Sequence, residues 1–214
     1  MTGPKSKRRA STIMNRILWL LVILATLGSV HAQEKLPRAD ALKYAFLLSA
    51  NLKEMLATPI PTDPDVKRPA AVKDEGCGAL ALPECKLGPQ AFSALGKEVT
   101  PVGQLWMAHL VPLRDGQAVA DSKLRLVHVG SGDGQVDVPC FALGAHQGAD
   151  GKPELLVYGK AAEPLLRLPL QPVTAAQGLP VDLRGERKDD SSGALILTFV
   201  GKYEARLDVR LAEQ

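Results

Sequence analysis

The stretch "ALILTFVGKYEARLDVRL" (Ala194–Leu211) carries two hydrophobic patterns on either side of one glycine. In its second half Tyr203, Ala205, Leu207, Val209 and Leu211 alternate with Glu204, Arg206, Asp208 and Arg210. Successive side chains of a strand point to opposite faces, so this is a strand with one dry and one wet side. The first half, Ala194 to Val200, is almost wholly apolar, as expected of a central strand. Gly201-Lys202 between the halves predicts a tight hairpin with Gly in the first loop position.

The same period of two extends back to Gly76. It runs through "GALAL" (78–82), "VGQLWMAHLVPL" (102–113), "KLRLVHV" (123–129), "QVDVPCFALGA" (135–145), "ELLVYG" (154–159), "LLRLPL" (165–170) and "LPVDLR" (179–184). Three Asp-Gly pairs punctuate the series: Asp115-Gly116, Asp133-Gly134 and Asp150-Gly151. Asp-Gly readily takes the left-handed conformations that hairpin turns require. Eight or nine strands follow, with no helical crossover except a short turn at "GPQAFSALG" (88–96). The predicted fold is mainly β, an antiparallel β-sandwich over 76–214 of immunoglobulin-like or transthyretin-like arrangement.

N-terminal to Gly76 the period changes. "RADALKYAFLLSANLKEMLA" (38–57) places Ala41, Ala45, Leu48, Leu52 and Met55 at helical spacing, widened by Leu42, Phe46 and Leu56. This predicts one N-terminal amphipathic helix within 33–57, with Pro37 at its start where a missing N–H costs nothing. Its apolar stripe is expected to dock on the protein's own sheet. Pro59, Pro61, Pro64 and Pro69 cannot continue the helix, and 58–75 reads as an extended Pro-rich linker.

The first 32 residues have another grammar. Lys5, Lys7, Arg8, Arg9 and Arg16 precede the apolar run Ile17–Val30, and Val30 and Ala32 are small residues placed for a signal peptidase. The run falls short of the ~20 residues that span a bilayer. Residues 1–32 are therefore read as a signal peptide cut between Ala32 and Gln33, giving a secreted or periplasmic protein that meets the membrane only during export. The full chain has 26 basic and 23 acidic residues. Five basic and no acidic residues fall in 1–32, which leaves 21 against 23, a net of −2 for the remainder. No clustered basic surface is left for nucleic acid.

Export sets the reading of "DEGCGALALPECKLGP" (74–89). Disulfides persist in an oxidising compartment, so Cys77 and Cys85 are read as a possible staple. Eight extended residues span ~26 Å, against ~5.5 Å between disulfide-linked Cα atoms, so the bond requires a fold-back at Pro83. Pairing of Cys140 with either of them, or three free thiols, stays open. Cys140 is in phase with Val136 and Val138, which predicts a buried sulfur. No Cys-x-x-Cys pair is present for redox chemistry.

Chemistry-bearing residues form no recognisable constellation, and no catalytic residue, cofactor or metal ligand is assigned. His109, His128, His146 and Cys140 lack the close Cys–His–Met loop spacing of a copper sandwich. "GSGDG" (130–134) lacks the Gly-x-Ser-x-Gly spacing of a nucleophile elbow, and a trio of His109, Asp115 and Ser131 is within chance for a chain this size. Aromatic residues are scarce, and Trp106 reads as a core anchor rather than a sugar platform. The expected function is a non-catalytic binding or scaffolding module of the cell envelope, engaging another envelope protein through the helix or a sheet edge. The alternative is a small secreted hydrolase or a metal-binding sandwich.

Overall fold

The computed structural model describes residues 34–49, 59–130 and 135–212, and all of them belong to one unit spanning 32–214. The predicted signal segment, the cleavage pair Ala32/Gln33, residues 50–58 and Ser131–Gly134 lie outside the described residues.

The chain is mainly β, arranged as two antiparallel sheets. The larger sheet takes β1 (Glu34–Lys35), β2 (Ala70–Asp74), β3 (Cys77–Pro83), β4 (Thr100–Ala108), β8 (Val136–Gln147), β9 (Pro153–Tyr158) and β10 (Leu166–Pro169) in spatial order 1-2-3-4-8-9-10, with β7 (Leu126–Val129) also paired to β8. The smaller sheet orders β12 (Val181–Arg187), β13 (Ser192–Phe199), β14 (Tyr203–Leu211), β5 (Leu110–Arg114) and β6 (Gln117–Ala118), with β11 (Gln171–Pro172) on β14. The chain crosses from the larger to the smaller sheet at His109, the single residue between β4 and β5, which takes a left-handed φ of +55°.

The Ala194–Leu211 stretch behaves as its pattern dictates. The apolar half is β13, central between β12 and β14. The alternating half is β14, whose Ala205, Leu207 and Val209 are buried while Arg206 and Asp208 are exposed. The turn differs from expectation. Lys202 N–H donates to the Phe199 carbonyl at 2.9 Å, and Val200 and Gly201 are the left-handed pair, φ +47° and +68°. A β-branched residue is costly there. The Gln177 side chain holds the loop in place, accepting from Gly201 N–H at 2.7 Å and donating to the Thr198 carbonyl at 3.1 Å.

Asp115-Gly116 and Asp150-Gly151 form hairpin turns. Asp115 and Gly116 both have positive φ and join Arg114 to its partner Gln117. Gly151 is left-handed in the β8–β9 connection, where Asp150 Oδ1 accepts from Lys152 N–H at 3.0 Å. β7 and β8 pair in register on either side of Asp133-Gly134. The short turn at 88–96 contains the helix α2 (Pro89–Ser93), which buries Phe92 against the rings of Phe199 and Tyr203.

One core lies between the sheets. The row Ala70–Ala81–Leu105–Phe141 crosses β2, β3, β4 and β8 and belongs to the same cluster as Leu183, Leu195, Leu207 and Phe199 of the smaller sheet. At one side β12 lies against β2, and Arg187 bonds Asp74 at 2.7 Å while Lys35 pairs with Asp182.

Three expectations are corrected. Residues 70–74, read as the end of the linker, form β2, a strand buried along Ala70–Val72. The rest of the connector is fastened to the sheet: Asp65 N–H donates to the Pro83 carbonyl at 2.7 Å and Cys85 N–H to the Asp63 carbonyl at 2.8 Å. The Cys77–Cys85 bond is absent, and all three cysteines are free. Its reason is the register, because β3 stays extended and paired from Cys77 to Pro83, so the fold-back never occurs; Cys77 opens the strand and Cys85 lies two residues past its end. On the helix, Phe46 does not widen the buried stripe but is exposed.

Candidate functional site

The two sheets differ on their outer faces. That of the smaller sheet is charged: Arg184 bonds Glu186 and, at 3.3 Å, Glu204, while Arg206 bonds Glu186 and, at 3.2 Å, Asp208. Ionic pairs of this kind between half-exposed side chains contribute little each and keep the face wet. The outer face of the larger sheet is apolar. One row, Ala71–Leu80–Trp106–Cys140, crosses four strands, and every member is almost completely buried.

The helix α1 (Arg38–Ser49) covers part of that row. Its Ala41, Ala45 and Leu48 pack in one cluster with Ala71, Leu80, Leu82, Trp106, Val127, Val129 and Cys140. Two alanines among the contacts let the helix backbone approach closely. Trp106 is 1% exposed, and its Nε1–H donates to Gln104 Oε1 at 3.3 Å while Gln104 Nε2 donates to Thr62 Oγ1 at 2.8 Å. A buried indole N–H needs such a partner. Burial pushes the Cys140 thiol well above the usual range, so the sulfur is inert packing.

Beside the helix the covering stops, and Pro139 explains where. Proline brings no N–H to a ladder, and the β4–β8 register ends one residue before it, at Trp106↔Cys140. Beyond that point Ala108 on β4 and Val136 and Val138 on β8 border a groove of about 400 Å3. Its helix wall is Tyr44, Leu47 and Leu48, and Trp106 and Leu80 also line it. Tyr44, Leu47 and Val136 are 52%, 52% and 54% exposed. Among the described residues, the groove's charged side chains have partners: Lys73 lies 3.8 Å from Glu34, and Asp74 bonds Arg187 at 2.7 Å. Cys77 also lines the groove, its thiol pushed up first by burial and then by Asp74. Sequence reading placed Trp106 and the helix stripe but missed this groove, which is assembled from α1, β2–β4, β7 and β8.

The residues weighed for chemistry stay apart. His109 is exposed at the strand crossing. His128 pairs with Asp137 across β7–β8 on an exposed surface. His146 Nε2 lies 3.1 Å from Glu154 Oε2, with Arg167 3.8 Å from the same carboxylate, a cross-strand trio without a hydroxyl or thiol nucleophile among the recorded contacts. Among the described residues no three His, Cys, Asp or Glu side chains converge as metal ligands. Near Cys85, Glu84 Oε1 accepts from Asp63 N–H at 2.7 Å, its Oε2 is buried, and burial holds the carboxyl above its ordinary range. The Cys85 thiol is likewise raised, by burial and then by Asp63 and Asp65, which opposes nucleophilic use. Among the described residues no helix is long and apolar enough to cross a membrane.

Comparison with protein-family models, with curated proteins and with solved structures finds no match to this chain.

Proposed function

We propose that the protein is an exported, non-catalytic binding module of the cell envelope that engages its ligand through the groove beside α1. The reading takes the two sheets as an immunoglobulin-like or transthyretin-like sandwich. The N-terminal helix is a cover on the larger sheet, not a free appendage. Residues 1–32 direct export, and the working protein starts at Gln33 in the periplasm or outside the cell.

The observation that carries this reading is the asymmetry of the two outer faces. A charged lattice covers the smaller sheet, while the larger one leaves Tyr44, Leu47 and Val136 exposed around an apolar groove. Contiguous apolar surface rimmed by polar residues marks interaction sites. Glu84, Tyr158 and the three thiols owe their raised pKa first to burial, and Lys43, Arg184, Arg187 and Arg206 owe theirs to carboxylates already paired with them.

The test is recovery of the protein from its native envelope, with N-terminal sequencing and co-purification. The expected result is Gln33 as first residue and a bound component that the Leu47→Glu variant loses. An intact segment 1–32 on cytosolic protein would overturn the export reading. Identical co-purification by the variant would overturn the groove.

A further inference from the structure

We infer that the groove beside α1 holds the hydrocarbon tail of a single-chain amphiphile, with the head left at the mouth between the helix and β2. This rests on the binding-module reading above and names its ligand class. Three observations carry it.

The first is size and lining. About 400 Å3, at ~30 Å3 for a methylene-sized group, accepts one chain of about a dozen carbons. The walls are aliphatic and aromatic side chains that reach down to Trp106.

The second is hydrogen bonding. Among the described lining residues the charged side chains are Lys73, 3.8 Å from Glu34, and Asp74, bonded to Arg187 at 2.7 Å. The Trp106 N–H is committed to Gln104. A peptide, sugar or nucleotide buried there would bring N–H, C=O or O–H groups with few side-chain partners, each costly to strand. A methylene chain brings no such groups.

The third is the mouth. Next to the groove, a second depression of about 400 Å3 shares Leu36, Tyr44, Leu47 and Lys73 with it and adds Asp40 and Lys43. Lys43 pairs with Asp40 at 2.8 Å, so the mouth carries both signs, in step with a zwitterionic head rather than a strongly anionic one.

Trp106 makes the test direct. The sequence has two tryptophans, Trp19 and Trp106, so removal of residues 1–32 leaves Trp106 as the only one, in the groove lining. The exported protein is titrated with n-dodecylphosphocholine below its micelle concentration while Trp106 emission is followed. A saturable one-to-one change is expected, weakening about fourfold for each methylene removed from the tail, so that n-butylphosphocholine gives none in the same range. Leu47→Glu and Val136→Glu alter exposed positions. Each is expected to weaken binding at least tenfold, with an unchanged urea midpoint showing that folding is intact. A silent titration, or equal affinity in both variants, would overturn the assignment. So would tighter binding of an acetylated heptapeptide alternating threonine and valine. If the titration is silent while Leu47→Glu still abolishes co-purification from the envelope, the lipid assignment falls and the binding-module reading stands.

Discussion

Gly103→Ala separates two costs that glycine substitutions usually blend. Gly103 sits at the bulge of β4, where the register to β8 shifts between Pro101 and Gly103, and its φ is +144°. A Cβ there would lie 2.2 Å from the Leu82 carbonyl oxygen and 3.1 Å from the Pro83 Cα. Both obstacles are backbone of the neighbouring strand, so no side chain can swing aside. The substitution must pay about 1–3 kcal/mol for the backbone conformation, and it must also push β3 and β4 apart in mid-sheet, loosening ladder hydrogen bonds at about 1 kcal/mol each. A total of about 3–5 kcal/mol follows, a large part of the ~5–15 kcal/mol that holds an ordinary domain. Gly116→Ala is the control. Its φ of +79° is left-handed too, but nothing lies within 4 Å of the added atom, so about 1–2 kcal/mol is expected. Urea unfolding of the three proteins, followed by Trp106 emission, reads both numbers. If Gly103→Ala costs no more than Gly116→Ala, β3 and β4 are not locked at the bulge, and the face assignment of Gln104 and Trp106 fails with it.

Trp106→Ala should cost about 3–5 kcal/mol and free α1 from the sheet, as denaturation midpoints and far-ultraviolet dichroism would show. Glu84 has its folded-state pKa raised by burial, so it binds protons more tightly folded than unfolded, and stability falls as pH rises from its ordinary value of 4.5 through the raised one. Glu84→Gln should therefore raise Tm at pH 7 and flatten that limb, and a lowered Tm would contradict it. Asp189 is depressed to about 2, chiefly by the Ser192 hydroxyl and then the Ser191 N–H. Its contribution is present above pH 3.8 and lost as pH falls toward 2, so Asp189→Ala should lower Tm at neutral pH and converge with the parent in acid, as calorimetry across pH would show.

What could be read from the chain was local and repetitive. β14 announced itself because its residues from Ala205 to Val209 meet core and water in strict turn. Asp115-Gly116 announced its turn because both residues tolerate the left-handed region. β2 went unread because Ala70, Ala71 and Val72 are all buried, which erases the alternation, and prolines crowd the approach to it. The Val200 turn defied propensity: a β-branched residue is held left-handed by contacts from Gln177, 23 positions upstream. The Cys77–Cys85 bond was judged on compartment and spacing, whereas the register of β3 with both neighbours decided it. The groove had no local signature. It exists where Pro139 stops one ladder and where the width of α1 stops short, and neither fact is visible until distant segments meet.

Cys140 lies sealed in the apolar cluster that α1 closes with Ala41, Ala45 and Leu48. A thiol in that position acts as a stopwatch for the lid above it. While the helix is seated, an alkylating reagent has no route to the sulfur, so the rate at which Cys140 is labelled in native conditions counts how often α1 lifts. Ligand in the neighbouring groove, by bracing Leu47 and Leu48, would slow that clock without any change in the sheet below.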